Sequence, residues 1–114
     1  MVYAEAGANI YLAKRIYKRP RPYLTRTELT PCIDKESSYA YPSGHTALAR
    51  LFARLLSRIY PERTAAFLER ADEIAENRVL GGVHHPTDLI SGKKLGDAMS
   101  VEVSDQELME IISL

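Results

Sequence analysis

From Ser43 to Tyr60 the chain carries one uninterrupted amphipathic stretch, and everything else that folds has to pack against it. Ala47, Leu48, Leu51, Phe52, Leu55, Leu56 and Ile59 recur at the three- and four-residue spacing of a single helix face. This is the expected core helix. Nothing elsewhere keeps the two-residue alternation of a half-buried strand, so its partners must be helices too.

Those partners can be read off in turn. Tyr3, Ala6, Ile10, Ala13 and Tyr17 give residues 3–18 a helical stripe, with Lys14 beside that stripe rather than opposite it. Pro20 and Pro22 lack an amide hydrogen and push the preceding residue out of the helical region, so Arg21 is expected in an extended turn. Thr30-Pro31, Ser37 and Ser38 mark residues 25–41 as a loop with at most a short helical turn. Pro61 is placed to open the next helix, with Glu62 near its positive end and Ala65, Leu68, Ala71, Ile74, Ala75 and Leu80 facing inward until Gly81-Gly82 ends it. Pro86 opens another through about Met99, with Leu89, Ile90, Leu95 and Met99 as core positions, although Gly92 and Gly96 lower its helix propensity. Ser104 and Glu107 form a capping box for a last helix over residues 105–113. The expectation is all-α: one domain, residues 1–114, built as a compact bundle of about five helices.

With 114 residues, 46% apolar and 26% charged, the chain has ordinary globular composition. A domain of this size buries roughly two thirds of its unfolded surface, so burial against a second copy would help and a homo-oligomer is expected. The formal net charge is zero but segregated. Lys14, Arg15, Lys18, Arg19, Arg21 and Arg26 have no acid among them, whereas the chain after Lys94 has no base and carries Asp97, Glu102, Asp105, Glu107 and Glu110. That favours a small anionic ligand near the basic end. Nucleic acid is disfavoured, because no recognised binding module accompanies the basic run. Arg50, Arg54 and Arg58, four residues apart, are expected to form a hydrated cationic stripe rather than a membrane face. Cys32 is the sole cysteine, which precludes an internal disulfide, and is expected to serve as a small hydrophobe rather than a nucleophile. No apolar run reaches the roughly 20 residues that span a bilayer, and no signal peptide opens the chain, so it is expected to be soluble as it stands.

The chemistry concentrates around Pro42-Ser43-Gly44-His45. Ser43 falls at the cap of the core helix, where its hydroxyl and the amides of Gly44 and His45 meet the positive end of the helix dipole. Gly44 lets that backbone approach an anion closely. Lys14 and Arg21 lie upstream; Arg78, His84 and Asp88 lie downstream. A phosphoryl group spreads its charge over three equatorial oxygens and needs several fixed donors at once, and two histidines with a carboxylate supply nucleophile, proton donor and orienting group.

Lys14 and, after six residues, Arg21-Pro22; then Pro42-Ser43-Gly44-His45; then Arg78, with His84 and Asp88 beyond it, together resemble the three-part motif of the phosphatidic acid phosphatase type 2 superfamily. Within it, Gly82-Val83-His84-His85-Pro86-Thr87-Asp88 is similar to the third motif of the soluble class A bacterial acid phosphatases. The motifs span residues 14–88. The resemblance implies that His84 attacks phosphorus to form a phosphohistidine, that Asp88 orients its imidazole, and that His45 protonates the leaving alcohol and then activates water. It implies that Lys14, Arg21, Ser43, Gly44 and Arg78 hold the phosphate oxygens, with phosphate or vanadate as pocket ligands. No cofactor or metal is needed, since the cations already do that work. A periplasmic or secreted location is implied, with small phosphate esters as substrates.

Two positions depart from the family pattern. Asn77 stands where a serine is usual beside Arg78, and only thirteen residues precede Lys14 where the family carries several helices, so the family's N-terminal helices are expected to be lacking. Four other readings stay open: a vanadium-dependent haloperoxidase using the same anion pocket, a binding or assembly module without turnover, a lipid phosphatase if a membrane-bound partner or lost segment supplies the bilayer contact, and a metal site from His45, His84, His85 and Asp88, which the surrounding cations oppose. His85 has no motif position and is expected at the pocket wall or the surface.

Overall fold

A computed structural model describes residues 2–26, 28, 30–31, 33 and 38–113, with the backbone alone for Val2 and Tyr3. The expected core position Tyr3, the thiol of Cys32 and the loop residue Ser37 therefore lie outside the described side chains. Among the described residues every regular element is a helix: α1 (Val2–Tyr17), a single turn α2 (Pro22–Thr25), α3 (Gly44–Ile59), α4 (Thr64–Leu80), α5 (Pro86–Glu102) and α6 (Asp105–Ile112). No described helix is long and apolar enough to cross a membrane.

The expected core helix stands at the centre of the bundle, and α4 and α5 pack along it. Ala47, Leu51 and Leu55 of α3 join Ala6 and Ile10 of α1, Met99 of α5, Val103 just after α5 and Leu108 of α6 in one buried cluster, with Leu48, Ile59, Leu95 and Ile111 packed at its edge. Phe52 and Leu56 depart from expectation: they are 37% and 40% exposed, while Ala53 is buried in their place. Both α4 and α5 lie close along α3.

The same closeness explains Gly92 and Gly96. A Cβ at Gly92 would lie 2.8 Å from the Ser43 carbonyl oxygen, and one at Gly96 only 2.5 Å from that of Ala47, so their missing side chains are what let α5 lie against the N-terminal half of α3. Their low propensity is offset by this contact, and α5 runs past Met99 to Glu102. Ile90, an expected core position, points outward and is 55% exposed.

Pro61 does not open α4 directly. Pro61–Arg63 form a tight 3-10 turn before Thr64 begins the helix. Ala71 and Ala75 are then buried and Leu68 and Ile74 half-buried, but Ala65 and Leu80 are exposed, Leu80 by 79%. Tyr17 of α1 is likewise exposed. The capping box of α6 forms as expected, with the Glu107 amide donating to Ser104 Oγ at 3.1 Å and the Ser104 amide donating to the Glu107 carboxylate at 3.4 Å.

The arginine row on α3 is more than a hydrated stripe. Arg50 and Arg54 both donate to Asp97 Oδ1, at 2.7 and 2.9 Å, and Arg58 reaches the Val103 carbonyl at 2.8 Å and the carboxylate of Asp105. The acids that follow Lys94 thus tie α5 and the start of α6 to the core helix. Burial alone would raise the Asp97 carboxyl, but hydrogen bonds from the two guanidiniums and their charge hold it below the usual carboxylate range.

Candidate active site

α1 ends where Lys18 adopts φ 51°, its amide still donating to the Lys14 carbonyl at 2.8 Å. That left-handed residue turns the chain back, and Pro20 and Pro22 keep the next stretch extended, with Arg21 at φ −66°, ψ 154°. The strap of residues 18–21 therefore runs beside the turn that joins α4 to α5. Lys14, on the inner side of α1, is buried, and its ammonium donates to the Tyr39 carbonyl at 2.6 Å.

Arg21 is 1% exposed and reaches three ways from the strap. Its Nε donates to the Ser38 carbonyl at 2.9 Å, one terminal nitrogen to Ser38 Oγ at 2.9 Å, and the other to the Val83 carbonyl at 3.0 Å. That last nitrogen also lies 2.8 Å from His84 Nε2. A guanidinium has donors only, so Nε2 must be the accepting, unprotonated nitrogen of the ring. The ring proton then sits on Nδ1, which faces Asp88 Oδ2 at 3.2 Å.

Asp88 is wholly buried at the start of α5. Its Oδ2 also accepts the His85 amide at 2.7 Å, closing the helix start, and its Oδ1 accepts from Arg19 at 3.0 Å. Burial pushes the His84 imidazole below its ordinary 6.5; its hydrogen bond to Asp88 opposes this, and the nearby charges of Arg21 and Lys14 reinforce it. Burial would raise Asp88, but hydrogen bonds from His84 and the His85 amide, followed by the charges of His84 and Arg19, leave it below the carboxylate range. The pair at neutral pH is a neutral imidazole on a charged carboxylate.

Opposite His84 stands the start of α3. Ser43 caps that helix, its hydroxyl oxygen accepting the Thr46 amide at 3.3 Å, while its own amide donates to the Asp88 carbonyl at 3.1 Å. This bond and the contact at Gly92 lock the two helix starts together. In front of them opens a cleft of about 310 Å³ lined by Lys14, Arg21, Ser38, Gly44, His45 and His84, with Gly7, Ile10, Tyr11 and Leu48 forming its outer wall. His45 is exposed at its mouth.

Of the eight residues singled out from sequence, five line this cleft: Lys14, Arg21, Gly44, His45 and His84. Ser43 and Asp88 lie buried behind it, bonded to one another through the backbone. Arg78 is half-buried in the last turn of α4 and is not among the lining residues; its carbonyl accepts the Val83 amide at 3.2 Å and so shapes the turn that carries His84. His85 sits at the N-cap of α5 with Nε2 3.2 Å from the Pro20 carbonyl, a link between strap and turn rather than a wall of the cleft. Sequence reasoning missed Ser38 and Arg19. Ser38 had no signal, being one serine in a loop; Arg19 was hidden by the cations around it.

The family model described as the PAP2 superfamily matches residues 1–108. Over 88 residues the chain is 35% identical to a non-specific acid phosphatase of Salmonella typhi, a match covering 74% of this chain and 35% of the relative. Identity to a non-specific acid phosphatase of Providencia stuartii is 41% over 81 residues, 68% of this chain and 33% of the other. Among solved structures, a transmembrane PAP2 type phosphatidylglycerolphosphate phosphatase from Bacillus subtilis superposes with a TM-score of 0.66 at 23% identity, covering 98% of this chain and 56% of that one. The chain spans about a third of the length of these acid phosphatases.

Proposed function

The chain belongs to the PAP2 superfamily, and on that footing we propose that it is a metal-independent phosphatase, hydrolysing small phosphate monoesters through a phosphohistidine on His84. The observation that carries the reading is the polarity of the His84 ring: Nδ1 held by Asp88, Nε2 accepting from Arg21 and facing the cleft. A phosphate oxygen that took over the Arg21 donor would release the Nε2 lone pair toward phosphorus. Lys14, Arg21 and the first amides of α3 would then hold the equatorial oxygens where charge builds up. Arg78 completes this set in the proposal, reaching the phosphate from the last turn of α4.

In the first step Nε2 forms a bond to phosphorus while the ester P–O bond breaks, and His45 gives its proton to the departing alkoxide. In the second, His45 takes a proton from water, the oxygen attacks phosphorus, and the P–N bond breaks to return the lone pair to Nε2. Asp88 keeps the Nδ1 proton throughout and stabilises the ring as it gains positive charge. The apolar outer wall of Ile10, Tyr11 and Leu48 would receive the organic part of the ester.

One observation favours a second reading, an anion-binding module without turnover: Arg78 stands outside the residues that line the cleft. The two separate cleanly with p-nitrophenyl phosphate. Turnover by the intact chain that falls at least about a thousandfold in His84→Ala supports the phosphatase. Calorimetric binding of inorganic phosphate with no turnover would establish the module instead.

A further inference from the structure

Arg19 was one cation in a basic run, yet its guanidinium is directed at the carboxylate behind the proposed nucleophile. It donates to Asp88 Oδ1 at 3.0 Å and to the hydroxyl of Thr87 beside it. Asp88 is wholly buried, and its other oxygen is already shared between His84 Nδ1 and the His85 amide. Arg19 is placed for this by the left-handed Lys18 before it and Pro20 after it, and its own carbonyl accepts the Ala40 amide at 2.7 Å. The guanidinium is about one third exposed, and Arg19 is not among the residues that line the cleft.

We propose that Arg19 is a positioning residue for the His84–Asp88 pair. By holding Oδ1 it fixes the rotation of the carboxylate, so that Oδ2 stays on Nδ1 and Nε2 stays aimed at the cleft. Without Arg19, only the bonds of Oδ2 to the ring and to the His85 amide would oppose rotation of the carboxylate, with no other side-chain hydrogen bond to Oδ1 among the described residues. Arg19 also sets how strongly the pair holds a proton, because it places a positive charge on the far side of Asp88. The other charged and titratable groups facing the pair are Lys14 from α1, Arg21 from the strap, His85 at the start of α5 and His45 across the cleft. Removing the Arg19 charge raises the proton affinity of Asp88 and, through it, of His84, and both effects move protonation to higher pH.

The proposal rests on the phosphatase reading for its kinetic consequence but not for its structural one. The test combines ¹⁵N NMR titration of the His84 ring with p-nitrophenyl phosphate kinetics in wild type, Arg19→Gln and Arg19→Lys. In Arg19→Gln the ring should titrate about one pH unit higher, kcat should fall about tenfold and KM should stay within about threefold. Arg19→Lys, which keeps the charge without the planar fork, should titrate as wild type and recover part of kcat. Unchanged titration and kcat in Arg19→Gln would overturn the proposal, as would an effect on KM alone. So would an unfolded Arg19→Gln beside an Arg19→Lys identical to wild type in every readout, since Arg19 would then be a staple for the strap only. If wild type shows no turnover, the phosphatase reading fails while the NMR titration still decides the role of Arg19.

Discussion

The ring of His84 is held from both ends, by a carboxylate on Nδ1 and a guanidinium on Nε2. Asp88→Asn keeps the shape but reverses the demand on Nδ1, since an amide can donate there and favour the wrong tautomer. A fall in kcat of about 10² to 10⁴ is expected, with melting temperature little changed. His45→Ala should cost less with p-nitrophenyl phosphate, whose leaving group needs no proton, than with an alkyl phosphate, where about 10² to 10⁴ is expected. Equal losses on both substrates would remove His45 from the proton-transfer role.

Burial lowers the His84 imidazole below its ordinary 6.5, so the acid limb of kcat/KM, corrected for substrate ionisation, should lie below that pH. A limb at or above it would contradict the neutral buried ring. The sign for stability follows from the same shift. The unfolded chain takes up this proton first, so stability falls as pH drops from about 6.5 toward the lowered value and levels off beneath it. Most of these residues were legible in the sequence because their motifs resemble those of the superfamily. Arg19 was not, because its partner is 69 positions away and only the turn at Lys18 brings them together.

Among the elements, the pairing of α3 with α5 sets the site, since the Ser43 amide bonds to the Asp88 carbonyl where the two helices meet. Gly96→Val should push them apart at its Cβ, where a methyl already falls 2.5 Å from the Ala47 carbonyl oxygen. Overpacking of this kind costs about 1–3 kcal/mol, and loss of activity should accompany the loss of stability measured by denaturant unfolding. A variant as stable and active as wild type would show that the close approach is not required. Asp97 contributes from the outer side. Its carboxyl is held low by Arg50 and Arg54, so its contribution is present above the ordinary carboxylate value and is lost as pH falls through the lowered one. Helix positions were readable from apolar spacing. The rim positions of Phe52 and Leu56 were not, because they depend on where the partner helices lie, and Gly92 and Gly96 read as defects until α5 is seen against α3.

At the scale of the whole molecule, five segments distant in sequence share one cleft: the inner face of α1, the strap, the loop at Ser38, the start of α3 and the turn before α5. A ligand bridging them stabilises the fold by mass action. Inorganic phosphate at 100 times its Kd should add about 2.7 kcal/mol and raise the Tm on the order of 10 °C, and Lys14→Met should lose most of that shift. The all-helical class and the family were legible because both rest on local spacing. The shape of the cleft was not, because it depends on the backbone turns at Lys18 and Gly82. The central claim is that His84 becomes covalently phosphorylated. Base-quenched samples of the intact chain mixed with a radiolabelled phosphate ester should carry acid-labile, base-stable label on a peptide containing His84, and His84→Ala should carry none. Turnover without such label, or label that survives in His84→Ala, would contradict the account.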